Sequence, residues 1–587
     1  MSLELLANEL FVDIFEFLNV HNLFRAFHGL NTRIDQLLLI QLQKYYLDFR
    51  SITKHDFEVF SQQHLTSIND RIISLHISDD IETPNLPELL LSHGYRISQF
   101  IHLKSLSIDS ISSFDLLNQI ILQCHELSYL THLNIMIQNN HDPEENFRDF
   151  INSIWSLTKL THCNLDIRYP YATWLLEMSA FSKSIKYLST RNISYNEYNL
   201  SHLIKHTPQL RGLDMSSIGL FYNQYPRVTF SSLISLHMVV ECALEFMKNF
   251  FQRIPNLCYL TLEINNMHLD GQALENIFVK YFHNIKTFRF KMTVEFSPLE
   301  DLEEQVDQCL DSFRSHYWIA KHKLYVQCDW CPMDVNKTGL VYSIPYAFDT
   351  FNYIDGRQSK STSPCNLNNK SRISSKIVHY AHNKIDFSKF SILDPVEFVN
   401  IRHLKIKLPF NDIFWSHIPR LDQLISLNVK LSQNFGYSQL QTFLDRAPNL
   451  YSLRFCHLNN FSMKSFGINS RSVRRLEFFQ NFQVRLKYFN SEECTILSDS
   501  SLAAQCEVLL IDVENRTDIL QLINVMPNLR ALSVRPKDNE NNQLQSWEIT
   551  ENLIEWLHKN LPSNYTYSIT RNFYNLARIS IWLSTAS

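Results

Sequence analysis

The 587-residue chain is poor in glycine, with 9, and holds 18 prolines. So few of either argue against long flexible linkers, and so few glycines leave little material for a phosphate-cradling loop. Basic and acidic residues nearly balance at 54 and 59, for a net charge of −5. No general basic excess therefore points to nucleic acid, and any charge argument has to be local. No stretch approaches the roughly 20 apolar residues of a membrane helix. Glu4, Glu9 and Asp13 interrupt the N-terminal stretch, which does not read as a secretory signal. Eleven scattered cysteines, an odd number, fit reduced thiols. The expected location is cytoplasmic or nuclear, with no membrane and no nucleic-acid partner.

Catalytic motifs are missing too. There is no G-x-S-x-G and no H-E-x-x-H among the 24 histidines. Cys328 and Cys331 form a lone C-x-x-C in a stretch that alternates like a strand. A zinc site needs four ligands, so buried thiols are the expectation there. The run Glu300, Asp301, Glu303 and Glu304 reads as a solvated helix face. No catalytic residue, metal or cofactor is expected, and the chain does not read as an enzyme.

What the sequence does have is repetition. Leu200, Leu203 and Ile204 precede Pro208, and Leu210, Leu213 and Met215 follow it. Apolar residues recur at the same spacing around Pro255, Pro448 and Pro527. The first three positions are one stripe of a helix, the proline ends that helix, and the last pair alternates as a half-buried strand does. Copies of the strand half, L-x-x-L-x-L, begin at Leu103, Leu130, Leu160, Ile185, Leu210, Leu233, Leu257 and Ile285. They resume at Ile401, Leu424, Leu450, Val473, Cys506 and Leu529. This pattern resembles the leucine-rich repeat, whose period is about 20–29 residues. The resemblance implies an irregular solenoid with parallel strands on the concave side and helices on the convex side.

At the N-terminus, apolar residues recur at helical spacing in three short runs, with Asn8, Asn19 and Asn31 standing before them as candidate caps. Leu6, Glu9, Leu10, Ile14, Phe15, Leu18 and Leu23 match the order and spacing of an F-box, which the stretch resembles. Ala7 stands where that family usually has proline, Asn22 where it has aspartate, and Ile34 near its usual tryptophan. The combined fold expectation is α/β: a three-helix F-box over 1–45, a helical connection over 46–70 and leucine-rich repeats over 71–291. Degenerate repeats with a polar loop at 356–376 then span 292–400, and further repeats span 401–587.

The resemblance implies a substrate-recognition subunit of a cullin-RING ubiquitin ligase. Leu6, Ala7, Glu9, Leu10, Ile14, Phe15, Leu18 and Leu23 would bind a Skp-type adaptor that joins a cullin scaffold, and the solenoid would hold a target protein. Two alternatives stay open: a protein-interaction scaffold outside any ligase, and a free repeat module that its N-terminal helices merely cap. For the target, the strand positions that alternate with buried ones carry a charge gradient. Ser105, Ser107, Asp109, Asn164, Asp166, Asp214 and Glu263 come early, with Arg191 as the exception. Arg289, Lys291, Lys405, Lys407, Lys430, Arg454 and Arg475 come later, followed by Arg535, with Glu477 and Asp512 interrupting. Those seven basic residues are the expected substrate-binding set, suited to an acidic or phosphorylated segment.

Overall fold

The computed structural model describes residues 6–585 with interruptions, the larger ones at 138–143, 170–177, 219–227, 364–371, 382–396, 457–466, 480–486, 538–545 and 572–577. It is a mixed α/β structure rich in parallel sheet. Two compact units make it up. One comprises Met1–Ile234, Arg530–Leu532 and Gln545–Ser587, and the other Ser235–Leu529 and Ser533–Leu544.

The first unit starts with helices α1 (Asn8–Glu16), α2 (Val20–Phe27) and α3 (Thr32–Gln36). Only one of the three asparagines caps as expected: Asn31 Oδ1 accepts from the Ile34 N–H at 2.9 Å. Asn19 precedes α2 without a side-chain cap bond. Helix α1 begins at Asn8 itself, whose side chain accepts from Arg33 Nε at 2.9 Å, while Arg33 also donates to the Leu6 carbonyl at 2.6 Å. Arg33 thus ties the first helix to the third. Phe11, Phe15, Leu23, Phe27, Ile34, Leu37 and Leu38 form the core between them, with Leu6 and Ile14 packed on its margin. The Phe15 and Phe27 rings meet nearly edge to face, with centroids 5.1 Å apart.

Where a helical connection is expected from residue 46, the chain first forms a strand, β1 (Tyr45–Asp48). Tyr45 and Leu47 are buried and Tyr46 is exposed, the two-residue alternation of a strand with one covered face. Helix α4 (Lys54–Phe60) follows, capped by Thr53, whose Oγ1 accepts from the Asp56 N–H at 3.0 Å. Phe24 of α2 packs against both Tyr45 and Phe60, so the N-terminal helices are anchored to this segment.

Then come β2 (Ile72–Ser78), β3 (Ser105–Asp109), β4 (His132–Ile137), β5 (His162–Tyr169), β6 (Tyr187–Tyr195) and β7 (Gly212–Ile218). From β1 to β7 each strand pairs in parallel with the next. Leu75, Leu106, Leu133, Cys163, Leu188 and Leu213 fall in one register row, all buried. Helices such as Phe114–Gln123 and Glu197–His206 make the crossovers that parallel pairing requires. The second of these stops two residues before Pro208.

In the second unit, β8 (Ser235–Val240), β9 (Tyr259–Ile264) and β10 (Thr287–Glu295) continue parallel. The order then changes. Strand β10 pairs antiparallel with β12 (Thr338–Ile344), not with β11 (Tyr325–Trp330). β11 pairs antiparallel with β12 and, after β13 (Thr350–Ile354), with β14 (Gln358–Ser361). Only 331–337 separates β11 from β12, too short for a parallel crossover. Thus 292–361 departs from a run of parallel units. Of the polar stretch 356–376, Gln358–Ser361 is β14 and Arg372–Ile373 is β15; 356, 364–371 and 374–376 lie outside the described residues.

Parallel pairing returns with β13 against β16 (Ile377–Ala381), while β15 meets β17 (Glu397–Phe398). It continues through β18 (His403–Leu408), β19 (Ser426–Leu431), β20 (Ser452–Cys456), β21 (Arg475–Phe479) and β22 (Val508–Val513). Leu404, Leu427, Leu453, Leu476 and Leu509 make a second buried row. After β23 (Ala531–Pro536), the last helix (Ser546–Asn560) leads to the antiparallel pair β24 (Tyr565–Arg571) and β25 (Ile579–Thr585).

The first unit is therefore assembled from both ends of the sequence. Arg530 forms a buried ion pair with Glu82 at 2.9 Å, 448 residues away. Trp582 lies against Phe57 with centroids 6.1 Å apart, and Lys54 donates to Thr566 at 3.3 Å.

Candidate interaction surfaces

Helix α1 divides its apolar residues between two jobs. Phe11 and Phe15 point into the helical core, while Leu10 and Leu18 are 48% and 37% exposed. Phe17, just past the helix end, is 89% exposed. At about 100° per residue, positions 10 and 14 share one side of the helix, and the turn that ends it carries Phe17 and Leu18. Ile14 is half-buried at its centre, and Leu30 adds a 54% exposed side chain. Of the expected adaptor-binding residues, Ala7, Glu9, Leu10 and Leu18 are exposed, Leu6 and Ile14 are half-buried, and Phe15 and Leu23 lie in the core. Phe17 was not among them. It stands at the C-cap of the helix, between matched motif positions.

His21 and Arg25 of α2 sit beside this unit's junction with α4. Arg25 pairs with Asp56 at 2.9 Å. Burial holds the His21 imidazole below its ordinary range, partly opposed by Asp56, so it is neutral at pH 7.

The second surface is the row of strand positions that alternate with buried ones. In β2 to β7 its polar groups are turned on one another. His76 meets Asp109 at 2.6 Å, Asn164 donates to Asn134 at 2.5 Å, and Ser189 donates to Asp214 at 3.3 Å. His132, His162 and Tyr187 stack in a ladder, centroids 4.2 and 4.6 Å apart. Gly212 comes next in the row, where a Cβ would stand 2.6 Å from the Tyr187 ring. The side chain of Arg191 lies outside the described residues.

The seven basic residues expected to bind substrate fall on two sheets and differ in their surroundings. Arg289 is exposed on β10. Lys291, two residues on, is engaged: its ammonium pairs with Glu263 at 2.7 Å and lies over the Phe348 ring at 4.9 Å. Burial alone would raise the Glu263 pKa, yet hydrogen bonds from His237 and Lys291 hold it below the ordinary carboxylate range.

The other five lie on the neighbouring strands β18 to β21. Lys405, Asn428, Arg454 and Glu477 form one register row, and Lys407, Lys430 and Cys456 the next. Glu477 is 2% exposed and takes both arginines: Arg454 on one oxygen and Arg475 on the other, at 2.6 Å. Cys456 donates to Asn428 Oδ1 at 2.9 Å, and burial pushes its thiol pKa up. Lys405 is exposed, and Lys407 and Lys430 are half-buried. Among the described residues no carboxylate pairs with any of the three lysines. Farther along, Arg535 and Asp512 are both buried and pair with each other at 2.6 Å.

Cys328 and Cys331 are buried, and burial raises the Cys328 thiol well above its ordinary range. Among the described residues no group of three or more His, Cys, Asp or Glu is placed to hold a metal ion, and no helix is long and apolar enough to cross a membrane. No protein-family model matches the chain, and no curated protein matches it.

Proposed function

We propose that the chain is the substrate-recognition subunit of an SCF-type cullin-RING ubiquitin ligase. Its N-terminal helices form an F-box that docks on a Skp-type adaptor, and its strands and helices form a leucine-rich-repeat solenoid that holds the target. The observation that carries the reading is the apolar group Leu10, Ile14, Phe17 and Leu18. Leu10, Phe17 and Leu18 are exposed while Ile14 packs on the margin of the unit's core, and interface energy concentrates in exposed apolar anchors of this kind. Anchoring of the helices through Phe24 to Tyr45 and Phe60 supports the same reading. An adaptor held there would keep a fixed relation to the strands that follow. The chemistry would belong to other subunits, and this chain would supply proximity by raising the local concentration of target lysines.

The test is co-purification with a Skp-type adaptor and a cullin. Leu10→Asp with Phe17→Asp should abolish adaptor capture without lowering the unfolding temperature, because both side chains are solvent-exposed in the free chain. Phe15→Asp should unfold the N-terminal helices. Adaptor capture undiminished by the Leu10/Phe17 double variant would refute the docking surface. Adaptor capture without cullin would favour the scaffold outside any ligase.

A further inference from the structure

Each of β3 to β7 is entered through a short stretch around one buried apolar residue: Leu103, Leu130, Leu160, Ile185 or Leu210. At the residue before it and the two after it, these stretches carry four cations, Lys104, Lys159, Lys186 and Arg211. The same positions carry five rings, His102, Tyr129, His132, His162 and Tyr187, and no carboxylate. All four cations are exposed, and among the described residues no carboxylate pairs with any of them. Lys183, in the turn before β6, adds a further exposed cation, and Glu126, in the turn before β4, is set against it. The near balance of charge over the whole chain conceals this local excess.

The stretches lie side by side. The Thr131 N–H donates to the Lys104 carbonyl, Thr161 to Thr131 and Lys186 to Thr161, each at 2.9 Å, and Arg211 to Lys186 at 2.7 Å. Lys104 and Arg211 therefore stand four strand spacings apart, about 19 Å. The ladder of His132, His162 and Tyr187 occupies the three strands between them. Burial, His132 and Lys186 hold the His162 imidazole below its ordinary range, so this central ring is uncharged at pH 7. Gly212 adjoins Tyr187 at one end of the ladder, whereas Ser105, the register partner of His132 at the other, brings no ring against it. Tyr129, 52% exposed, leans toward His102 with centroids 5.6 Å apart.

We infer that the entry edge of β3 to β7 is a binding site for single-stranded nucleic acid. This goes beyond the ligase reading and does not depend on it. Two features together select that ligand. Unpaired cations spread along about 19 Å suit a chain of regularly spaced phosphates, which a row of lysines and an arginine can follow. Rings set among those cations suit unpaired bases, because every base has a flat face that stacks on an aromatic side chain. The ladder shows such stacking already formed, and a base laid over the outer face of His132 would continue it above Ser105. The exposed ring of Tyr129 is a second platform. An acidic peptide or an anionic lipid headgroup would answer the cations but leave the rings without a planar partner. A duplex keeps its bases stacked on one another, so their faces are closed to these rings.

The experiment uses the full chain and a fluorescein-labelled RNA of 12 nucleotides and mixed sequence, with binding read by fluorescence anisotropy. The same sequence as DNA and the RNA annealed to its complement are measured beside it. At least one single strand should bind tenfold or more tightly than the duplex, and the tighter of the two names the source. Raising salt from 50 to 200 mM should weaken that binding roughly 50-fold, the effect of counterion release from four phosphates of a single strand. Lys104→Gln/Lys186→Gln/Arg211→Gln should weaken it at least tenfold and flatten its salt dependence. Tyr129→Ala should weaken it at least fivefold with the salt dependence unchanged. Both variants should keep the wild-type melting temperature, and Lys405→Gln/Lys407→Gln/Lys430→Gln should bind as the wild type does. No binding at 50 mM salt, or equal binding of the duplex, would overturn the assignment. So would unchanged affinity in the Lys104 triple variant or in Tyr129→Ala, or loss of binding in the Lys405 triple variant. Displacement of the strand by vesicles holding 30 mol% phosphatidylserine, at lower phosphate concentration than by unlabelled strand, would overturn it too.

Discussion

The strand faces of β2–β7 and β18–β21 are both parallel sheet with a buried, leucine-rich row beneath, yet they differ in how far their charged groups are paired. On the first, donor meets acceptor across neighbouring strands: His76 with Asp109, Asn164 with Asn134, Ser189 with Asp214. On the second, Lys405, Lys407 and Lys430 stand with no carboxylate paired to them among the described residues. The register runs unbroken from β18 to β21, whereas on the first face it shifts between β5 and β6 and again between β6 and β7. The first face pairs many of its polar groups across strands, although Asp109 Oδ1 and Asn164 Oδ1 stay buried without a hydrogen-bond partner, whereas the second keeps three lysine charges that an outside anion could offset.

The contrast can be broken most forcefully at the buried end of the series. Arg535→Ala leaves Asp512 desolvated and without its guanidinium, and should destabilise the protein by about 3–5 kcal/mol in urea unfolding. A cost below about 1 kcal/mol would mean that this pair is not structural after all.

A second comparison is with Glu263, the carboxylate that engages Lys291. Its pKa is lowered in the folded chain, so the folded state binds its proton less readily than the unfolded state does. The resulting stabilisation is complete above the ordinary value of 4.5 and is lost as pH falls through the lower folded value. Glu263→Gln should therefore flatten the decline of the urea midpoint below pH 4.5. An unchanged acid decline would show that the bonds from His237 and Lys291 contribute nothing to stability.

The smallest expected effect sharpens the contrast most. Lys405→Ala/Lys407→Ala/Lys430→Ala should raise stability by no more than about 0.5 kcal/mol, because repulsion is removed and no pair is broken. Destabilisation beyond about 1 kcal/mol would mean that these lysines hold the fold together, as the polar pairs of the early strands do.

Local periodicity made much of this structure readable. Leu213, Leu260, Leu453 and Leu532 are buried where an alternating strand after a proline turn places them, because burial follows the two-residue repeat. Helices end shortly before Pro208, Pro255, Pro448 and Pro527, because the ring cannot continue the hydrogen-bond ladder. Partnerships across sequence distance were not readable in the same way. That Glu477 would take both Arg454 and Arg475 depends on the register between β20 and β21, across a connection whose length no pattern fixes. The antiparallel pairing of β10 with β12 is likewise a choice of partner, and alternation in the strand does not encode it. Tyr45–Asp48 is too short for its alternation to stand out beside the helical residues that follow. Among the candidate contacts, Leu10 and Leu18 were visible in the motif. Phe17, at the helix C-cap, was not, because its exposure depends on how the turn after the helix leaves the core.

The ion pair between Glu82 and Arg530 has a consequence for how the protein is made. At roughly 5–20 residues per second, a ribosome takes about 20–90 s to pass from one partner to the other. Throughout that interval Glu82 has no Arg530, and Phe57 has no Trp582 to lie against. The strands nearest the N-terminus can pair as they emerge, but their unit is complete only when the last strands have been synthesised. A chain stopped before Arg530 would therefore leave Glu82 without its guanidinium and Phe57 without Trp582, so the loss would be felt far from the point of truncation.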